Sequence, residues 1–457
     1  MEKDQYVVAL DLGVSQIRAS LFYMHEDKLL LKATEMNDHE AVVRGRVVNK
    51  GKLTRTIERL IKDLFDNPDD NIPINKNNVD VHYCVGVSGM SFKTKSIVKE
   101  GNLGGQTFTS VELKKYTEQV LEEYKDSENG FKLVRAVPVK YETEAIDTRV
   151  VLPKELYSAP FDYSLNKVKI TYLLTYVLLD YIDEIKKVLN KENVTFYPIA
   201  SAKAKYLCSE SNIKRSDGYV LIDMGGGSTS VAVYKSGSLL GEFSYPFGVN
   251  LITYDLVSFL NIDEDDAQNV KFNMPEIMSH NNYALYVDGR NLNVNLDRLK
   301  EVVQLRLEEI LAHACAFFTK TYGKNNASHV LCGITGGGAC TISVADIVIR
   351  MTDADVDLLM GTQRTEFDTG KVIIDTMMPS ETQFNAAGVY GMMMLYREEF
   401  ANLFVVKEKG IFDEELLNNE DKVDKTNVQS KPKKLVKSFV QKCNDFLKPS
   451  NDLGEEF

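Results

Sequence analysis

Two stretches, Tyr6–Met24 (YVVALDLGVSQIRASLFYM) and Tyr219–Tyr245 (YVLIDMGGGSTSVAVYKSGSLLGEFSY), repeat one plan about half a chain apart. Each runs an apolar, β-branched segment into an Asp-x-Gly turn and out into a second apolar segment. In the second stretch a third strand follows the turn KSGS. β-branched runs on both sides of the glycines predict hairpins, not a strand feeding a helix. Two related α/β lobes follow, each opening with a meander.

The turns themselves carry chemistry. Without a Cβ, Gly225, Gly226 and Gly227 let the backbone approach an anion closely, and the hydroxyls of Ser228 and Thr229 add donors. Asp223 ends the strand before them. The first turn offers the same through Asp11, Gly13 and Ser15. Two such loops on facing lobes could clamp a triphosphate, and Asp11 and Asp223 suit the water shell of Mg²⁺, which dehydrates reluctantly. A nucleotide with Mg²⁺ is the expected guest. A third cluster, Gly336, Gly337 and Gly338, is expected to follow a strand and open a helix, a place for a base or α-phosphate. Any one cluster alone also fits a plain tight turn. Neither GxxxxGK[ST] nor a GxGxxG after the first strand occurs, which disfavours the P-loop and dinucleotide-binding classes.

The remaining pattern fills in two lobes and a tail. Amphipathic helices are expected at the end of HEAVVRGRVVNKGKLTRTIERLIKDLF, after the Thr/Ser cap of FTSVELKKYTEQVLEEYKDS, and through NLDRLKEVVQLRLEEILAHACAFFTKTYG. Strands are expected in VDVHYCVGVSGMSFKTKSIV and at VTFYPI. A small-residue-rich helix in TQFNAAGVYGMMMLYREEFANLF closes the core. The chain has 457 residues, 44% of them hydrophobic, enough for a lobed body with a large core. A net charge of −12 is the wrong sign for a general nucleic-acid binder. The start has no signal-peptide pattern and no apolar run reaches the roughly 18 residues of a membrane span, so cytoplasmic residence is the expectation. The six cysteines lack CxxC spacing and read as reduced, mostly buried thiols.

The last segment departs from the acidic body. Residues 407–430 are polar and charged, a linker. Lys431–Lys448 then holds six lysines against one aspartate, a local charge of +5. On a helical wheel Leu435, Val436, Phe439, Val440, Phe446 and Leu447 share an arc of about 140°, with Lys433, Lys434 and Lys437 mostly opposite. Such a helix would lie in a membrane interface and not span it. The alternative is docking on the protein's own core. The acidic end beyond it, SNDLGEEF, has no physical account.

Five motifs in order, ALDLGVSQIRASLF, YPIASAKAKYL, LIDMGGGSTSVAVY, GITGGGACTISVADIV and NAAGVYGMMMLY, resemble the phosphate, connecting and adenosine motifs of the actin/hexokinase/heat-shock-70 superfamily. GRVVNKGKL, VGVSGMSF, RAVPVKYETEAIDTR and SYPFGVNLITYDLVSFLNIDEDDAQNVK make the chain most similar to the FtsA branch, bacterial cell-division proteins. The resemblance implies an α/β two-lobed actin-like ATPase fold with an inserted FtsA-type subdomain, a flexible linker and a C-terminal amphipathic helix. The implied layout is a first-lobe core at 1–82 and 164–205, the insertion at 83–163, a second-lobe core at 206–242 and 323–406, and a small second-lobe subdomain at 243–322. A linker at 407–430, the helix at 431–448 and an acidic tail at 449–457 complete it.

The resemblance also implies nucleotide contacts from Gly248, Asn250, Gln268, Lys271 and Asn385 in addition to the glycine turns, and a role for Arg306 in holding the C-terminal peptide of FtsZ. Read alone, Arg306 fits an exposed helix arginine as well. Implied partners are FtsZ, further copies of the chain in a filament, other division proteins and an anionic membrane surface at the division site. Three positions depart from the family pattern: Val14 for the usual Thr, Gln16 for Lys, Ser230 for Asp. The losses favour ATP binding over fast turnover. Two other branches compete, an exopolyphosphatase/guanosine-pentaphosphatase and a pilus-assembly actin homologue, and neither accounts for the tail.

Overall fold

The computed structural model describes residues 4–402, except for 26–27, 39, 69–73, 75–78, 126–128, 146–154, 162, 280–284, 288–289, 293–294, 360–371 and 374–385. The expected linker, amphipathic helix and acidic tail, with the apolar and lysine residues assigned to membrane contact, lie outside the described residues, as does Asn385.

Two sheets of one design form the body. The first orders its strands Val194–Pro198, Val79–Val87, Asp4–Leu12, Gln16–His25, Lys28–Asp38, with Val372–Ile373 at the edge. The second runs Ser238–Tyr245, Thr229–Lys235, Tyr219–Met224, Leu331–Thr335, Asp355–Leu358. In each, three strands form an antiparallel meander and the next two join parallel to its first strand. The internal repeat expected from the two glycine hairpins is therefore a repeat of whole sheets.

The apolar runs are continuous because these strands are buried on both faces. Along Asp4–Leu12, Val7 and Ala9 face a core shared by both lobes while Val8 and Leu10 face an outer one. Tyr219–Met224 does the same: Leu221 joins the shared core, Val220 and Ile222 the outer core of the second lobe. Between the sheets lie the helices Ile199–Leu207 and Ala387–Asn402, both rich in small residues. Their backbones touch, since a Cβ on Gly391 would run into the Ala202 carbonyl.

Outer helices follow their periodicity. Lys50–Asp66 buries Leu53, Ile57, Leu60 and Leu64. At roughly 1.5–3 kcal/mol per buried side chain this outweighs its Asn49 cap, worth about 1 kcal/mol. Ser110–Glu123 starts on the expected capping box, with the Glu112 carboxylate accepting from Thr109 N at 3.1 Å. It packs on a three-stranded sheet, Phe92–Asn102, Leu165–Leu178 and Phe131–Ala145. The expected insertion, 83–163, thus starts inside a strand of the large first sheet and stops before Leu165–Leu178, the middle strand of the small one.

Candidate nucleotide cleft

A single four-residue loop design builds both phosphate-binding candidates. Leu12 pairs with Ile17 and Met224 with Thr229, so Gly13–Gln16 and Gly225–Ser228 are equivalent loops. The second is closed by Gly225 N donating to Ser228 O at 2.9 Å. The loops meet across the space between the lobes: a Cβ on Gly227 would collide with a Val14 methyl. That contact explains why residue 227 has no side chain, and it is a place where Val14 packs as an apolar group.

The loops edge a cleft of about 380 Å³, within the roughly 300–1,000 Å³ range of small-molecule sites. Asp11, Gly13 and Ser15 line it from the first lobe. Asp223 and Gly225 to Ser228 line it from the second, with Asn250, Gln268, Lys271, Gly336 and Gly337. The helices Ile199–Leu207 and Ala387–Asn402 present their first residues to it, and their N-terminal dipole ends favour an anion.

Three expected residues support the loops instead of lining the cleft. Gly248 lies flat against the Gly225 and Gly226 carbonyls, and Gly338 sits under Met224 and Val249. Thr229 is fully buried and donates to Phe247 O at 2.8 Å, so its hydroxyl fixes the following turn. The third glycine turn also differs from the sequence expectation. Gly336 to Gly338 lead into a 3₁₀ turn, Gly337–Cys340, and the α-helix Val344–Thr352 begins only later, after an extended Thr341 and a left-handed Ser343. Gly336 itself has φ +84°, and a Cβ there would meet the Asp223 carboxylate at 2.6 Å.

The charges at the cleft are the main surprise. Asp11 lies across its hairpin from Arg18, their charged atoms 3.9 Å apart. Arg18 is in turn held by Gln16, whose Oε1 accepts from Nη2 at 3.0 Å while its Nε2 donates to Asp38. Arg18 lies two residues along from Gln16, on the same strand face. Asp223 pairs with Lys203 on the connecting helix at 2.9 Å. Arg18 and Lys203 both line the cleft, and the sequence reading assigned a role to neither. An Asp-to-Arg distance of seven around a four-residue loop could have revealed Arg18; nothing local points to Lys203.

Gln268 and Lys271 come together on the helix Glu264–Ser279. Lys271 is 2% exposed and donates to Thr253 Oγ1 at 2.9 Å and Gln268 Oε1 at 2.7 Å, both neutral acceptors. Burial lowers its pKa to about 8 against the opposing pull of Glu264. An anionic ligand would favour its charged form further. The neighbouring Phe272 lines the same wall, with the Lys271 ammonium 4.8 Å from the centre of its ring.

The fit to the implied groups is unequal. Glycine cradles, helix N-termini and three cations against two carboxylates suit a polyphosphate. Among the described residues the cleft offers Mg²⁺ only the carboxylates of Asp11 and Asp223, each already facing a cation, and no group of three or more His, Cys, Asp or Glu forms a metal cluster. Arg306 lies away from the cleft, in the second lobe. It grips Asp255 in a bidentate pair at 2.6 and 2.9 Å and also touches Glu309, so it ties the helices Asn250–Leu260 and Leu296–Tyr322 together. Its pKa is raised, chiefly by the Asp255 hydrogen bonds. Five cysteines, Cys84, Cys208, Cys315, Cys332 and Cys340, are buried and in no disulfide among the described residues, as expected. Among the described residues no helix is long and apolar enough to cross a membrane.

Paired sheets of this order with a cleft between them define the class of two-lobed actin-like proteins. A solved structure, the PilM-PilN type IV pilus biogenesis complex, superposes over 86% of this chain and 98% of its own at a TM-score of 0.55 with 12% identity, a likeness of fold. Within that class the chain resembles the bacterial cell-division protein FtsA. The family model described as cell division protein FtsA matches residues 220–373. The FtsA of Bacillus subtilis is 21% identical over 323 residues, 68% of this chain and 69% of that protein. The FtsA of Buchnera aphidicola is 29% identical over 175 residues, 35% of this chain and 41% of that protein.

Proposed function

We propose that this chain is an ATP-binding, actin-like division protein that assembles with copies of itself and links FtsZ to the cytoplasmic face of the membrane at the division site. The observation that carries the nucleotide part is the pair of equivalent glycine loops facing each other across a cleft with a cationic surplus. ATP would lie with its phosphates between Gly13–Gln16 and Gly225–Ser228 and its base toward Gln268, Lys271 and the Gly336 turn. Mg²⁺ on the phosphates would compete with Arg18 and Lys203 for Asp11 and Asp223. Weak turnover at most fits the replacement of hydroxyl, cation and carboxylate at Val14, Gln16 and Ser230.

The membrane part rests on the basic amphipathic segment 431–448, where each lysine near an anionic surface contributes roughly 1 kcal/mol. The partner part rests on the likeness to FtsA proteins; the expected use of Arg306 by FtsZ would require its grip on Asp255 to be shared or released. The proposed domain plan keeps the two sheets as lobe cores with the three-stranded unit inserted in the first.

A two-part experiment tests this. Replacing Asp223 with Asn and Gly226 with Val should weaken binding of a fluorescent ATP analogue at least about tenfold, since a Cβ at 226 would come within 2.9 Å of Asn250 Oδ1. Unchanged affinity refutes the cleft. Deleting 431–457 should abolish co-sedimentation with anionic liposomes, and retained sedimentation refutes the anchor.

A further inference from the structure

We infer that Lys203 is a phosphate-positioning residue and that, with Arg18, it supplies the cleft with resident counter-cations that let it hold a nucleoside triphosphate without a divalent metal. The inference deepens the nucleotide reading above and rests on it.

Both carboxylates expected to face a metal's water shell face side-chain cations in this structure. The Lys203–Asp223 pair is short, 2.9 Å, and both side chains are largely shielded, 16% and 6% exposed. Shielded pairs of this kind are little screened by salt, and breaking one without replacement is costly. Asp223 is also backed by the Gly336 turn, and Asp11 by Gly388, where a Cβ would sit 2.7 Å from Oδ2. A metal arriving on the phosphates would meet Lys203 and Arg18 as like charges.

Lys203 carries its charge on a long, flexible stem. It sits one helical turn after Ile199 on the connecting helix, on the face that lines the cleft. Its flexible stem can carry the ammonium from Asp223 toward a phosphate oxygen while staying near both. Lys271 adds a third cation that has only neutral acceptors within hydrogen-bond reach. An anion with several charges is the guest such a set takes up.

The test uses the full chain and a fluorescent ATP analogue, in Mg²⁺ and in EDTA, with Lys203→Met and Lys203→Arg. Thermal melts check that each variant is folded. Wild type should lose less than about threefold in affinity on metal removal, a small effect on the affinity scale. Lys203→Met frees Asp223 and should convert the site to a metal-dependent one, at least about tenfold weaker in EDTA than in Mg²⁺. Lys203→Arg should restore metal-independent binding. Loss of wild-type binding in EDTA, or an identical metal profile in wild type and Lys203→Met, overturns the inference while leaving nucleotide binding intact. No binding by folded wild type in either condition refutes the nucleotide reading itself.

Discussion

The two meanders have the same strand order and loop length, yet they treat equivalent positions in opposite ways. Register makes Asp11 and Arg18 of the first equivalent to Asp223 and Ser230 of the second. In the first, the cation comes from the directly opposed residue of the same hairpin. In the second that position holds a serine, 2% exposed, which hydrogen-bonds Ser244 at 2.7 Å; Ser244 in turn accepts from Gly89 N of the other lobe at 2.6 Å. The cation for Asp223 therefore comes from a helix twenty residues upstream in sequence. One lobe solves its charge problem locally; the other uses the same position for contact between lobes and imports its charge.

The third strands differ in the same manner. Thr34 and Glu242 occupy equivalent pairings, opposite Ser20 and Ala232. Thr34 bonds Tyr390 of the last helix at 2.9 Å, a neutral contact. Glu242 accepts from Ser201 N of the connecting helix at 2.8 Å, and its other oxygen is buried without a hydrogen-bond partner. Burial raises its pKa to about 7, against the Ser201 N–H and the nearby Arg135. A repeat thus became asymmetric at its charged positions.

The sharpest way to break the comparison is to force the first solution on the second lobe. Ser230→Arg should destabilise by on the order of 3 kcal/mol, because a large cation would enter a packed, buried contact; a melting temperature close to wild type would show that the two positions are equivalent after all. Glu242→Gln tests the third strands. In wild type the unfolded chain loses this proton above about pH 4.5 while the folded one keeps it to about 7. Stability should therefore fall across that window as pH rises, by up to roughly 3 kcal/mol. The glutamine retains the acceptor for Ser201 and should flatten the fall, read from denaturant melts at pH 5 and pH 8. Equal slopes would remove Glu242 from the account. The smallest effect is expected at the first hairpin: Arg18→Ser, which gives it the second lobe's residue, should cost about 1 kcal/mol, since the 3.9 Å pair is long and partly solvated. Its larger consequence should be in nucleotide affinity, measurable in the same titration as Lys203→Met.

Much of the fold was legible along the chain. Glycine turns between β-branched runs located both hairpins, apolar spacing located the helices at 50–66 and 296–322, and the Thr109–Glu112 box located the start of 110–123. These signals are local, so they survive without tertiary context. Most of the expected cleft residues lie at the cleft for the same reason, since they sit in or beside turns whose glycines announce a close approach. Missed or misplaced features depend on packing between distant segments: Thr229 turned to a carbonyl, Gly248 and Gly338 became props, and the edges of the three-stranded sheet were set by pairing with Leu165–Leu178.

By itself, the sequence determined the repeat, the loops and the position of each carboxylate, because strand period, turn chemistry and burial on two faces are written within a few residues of each other. Only the tertiary structure decided how the charges of the cleft are paired. Lys203 reaches Asp223 because the connecting helix packs between the sheets, and Arg306 is tied to Asp255 because two helices cross there. Pairings of that kind depend on through-space distance between segments, which no local pattern encodes.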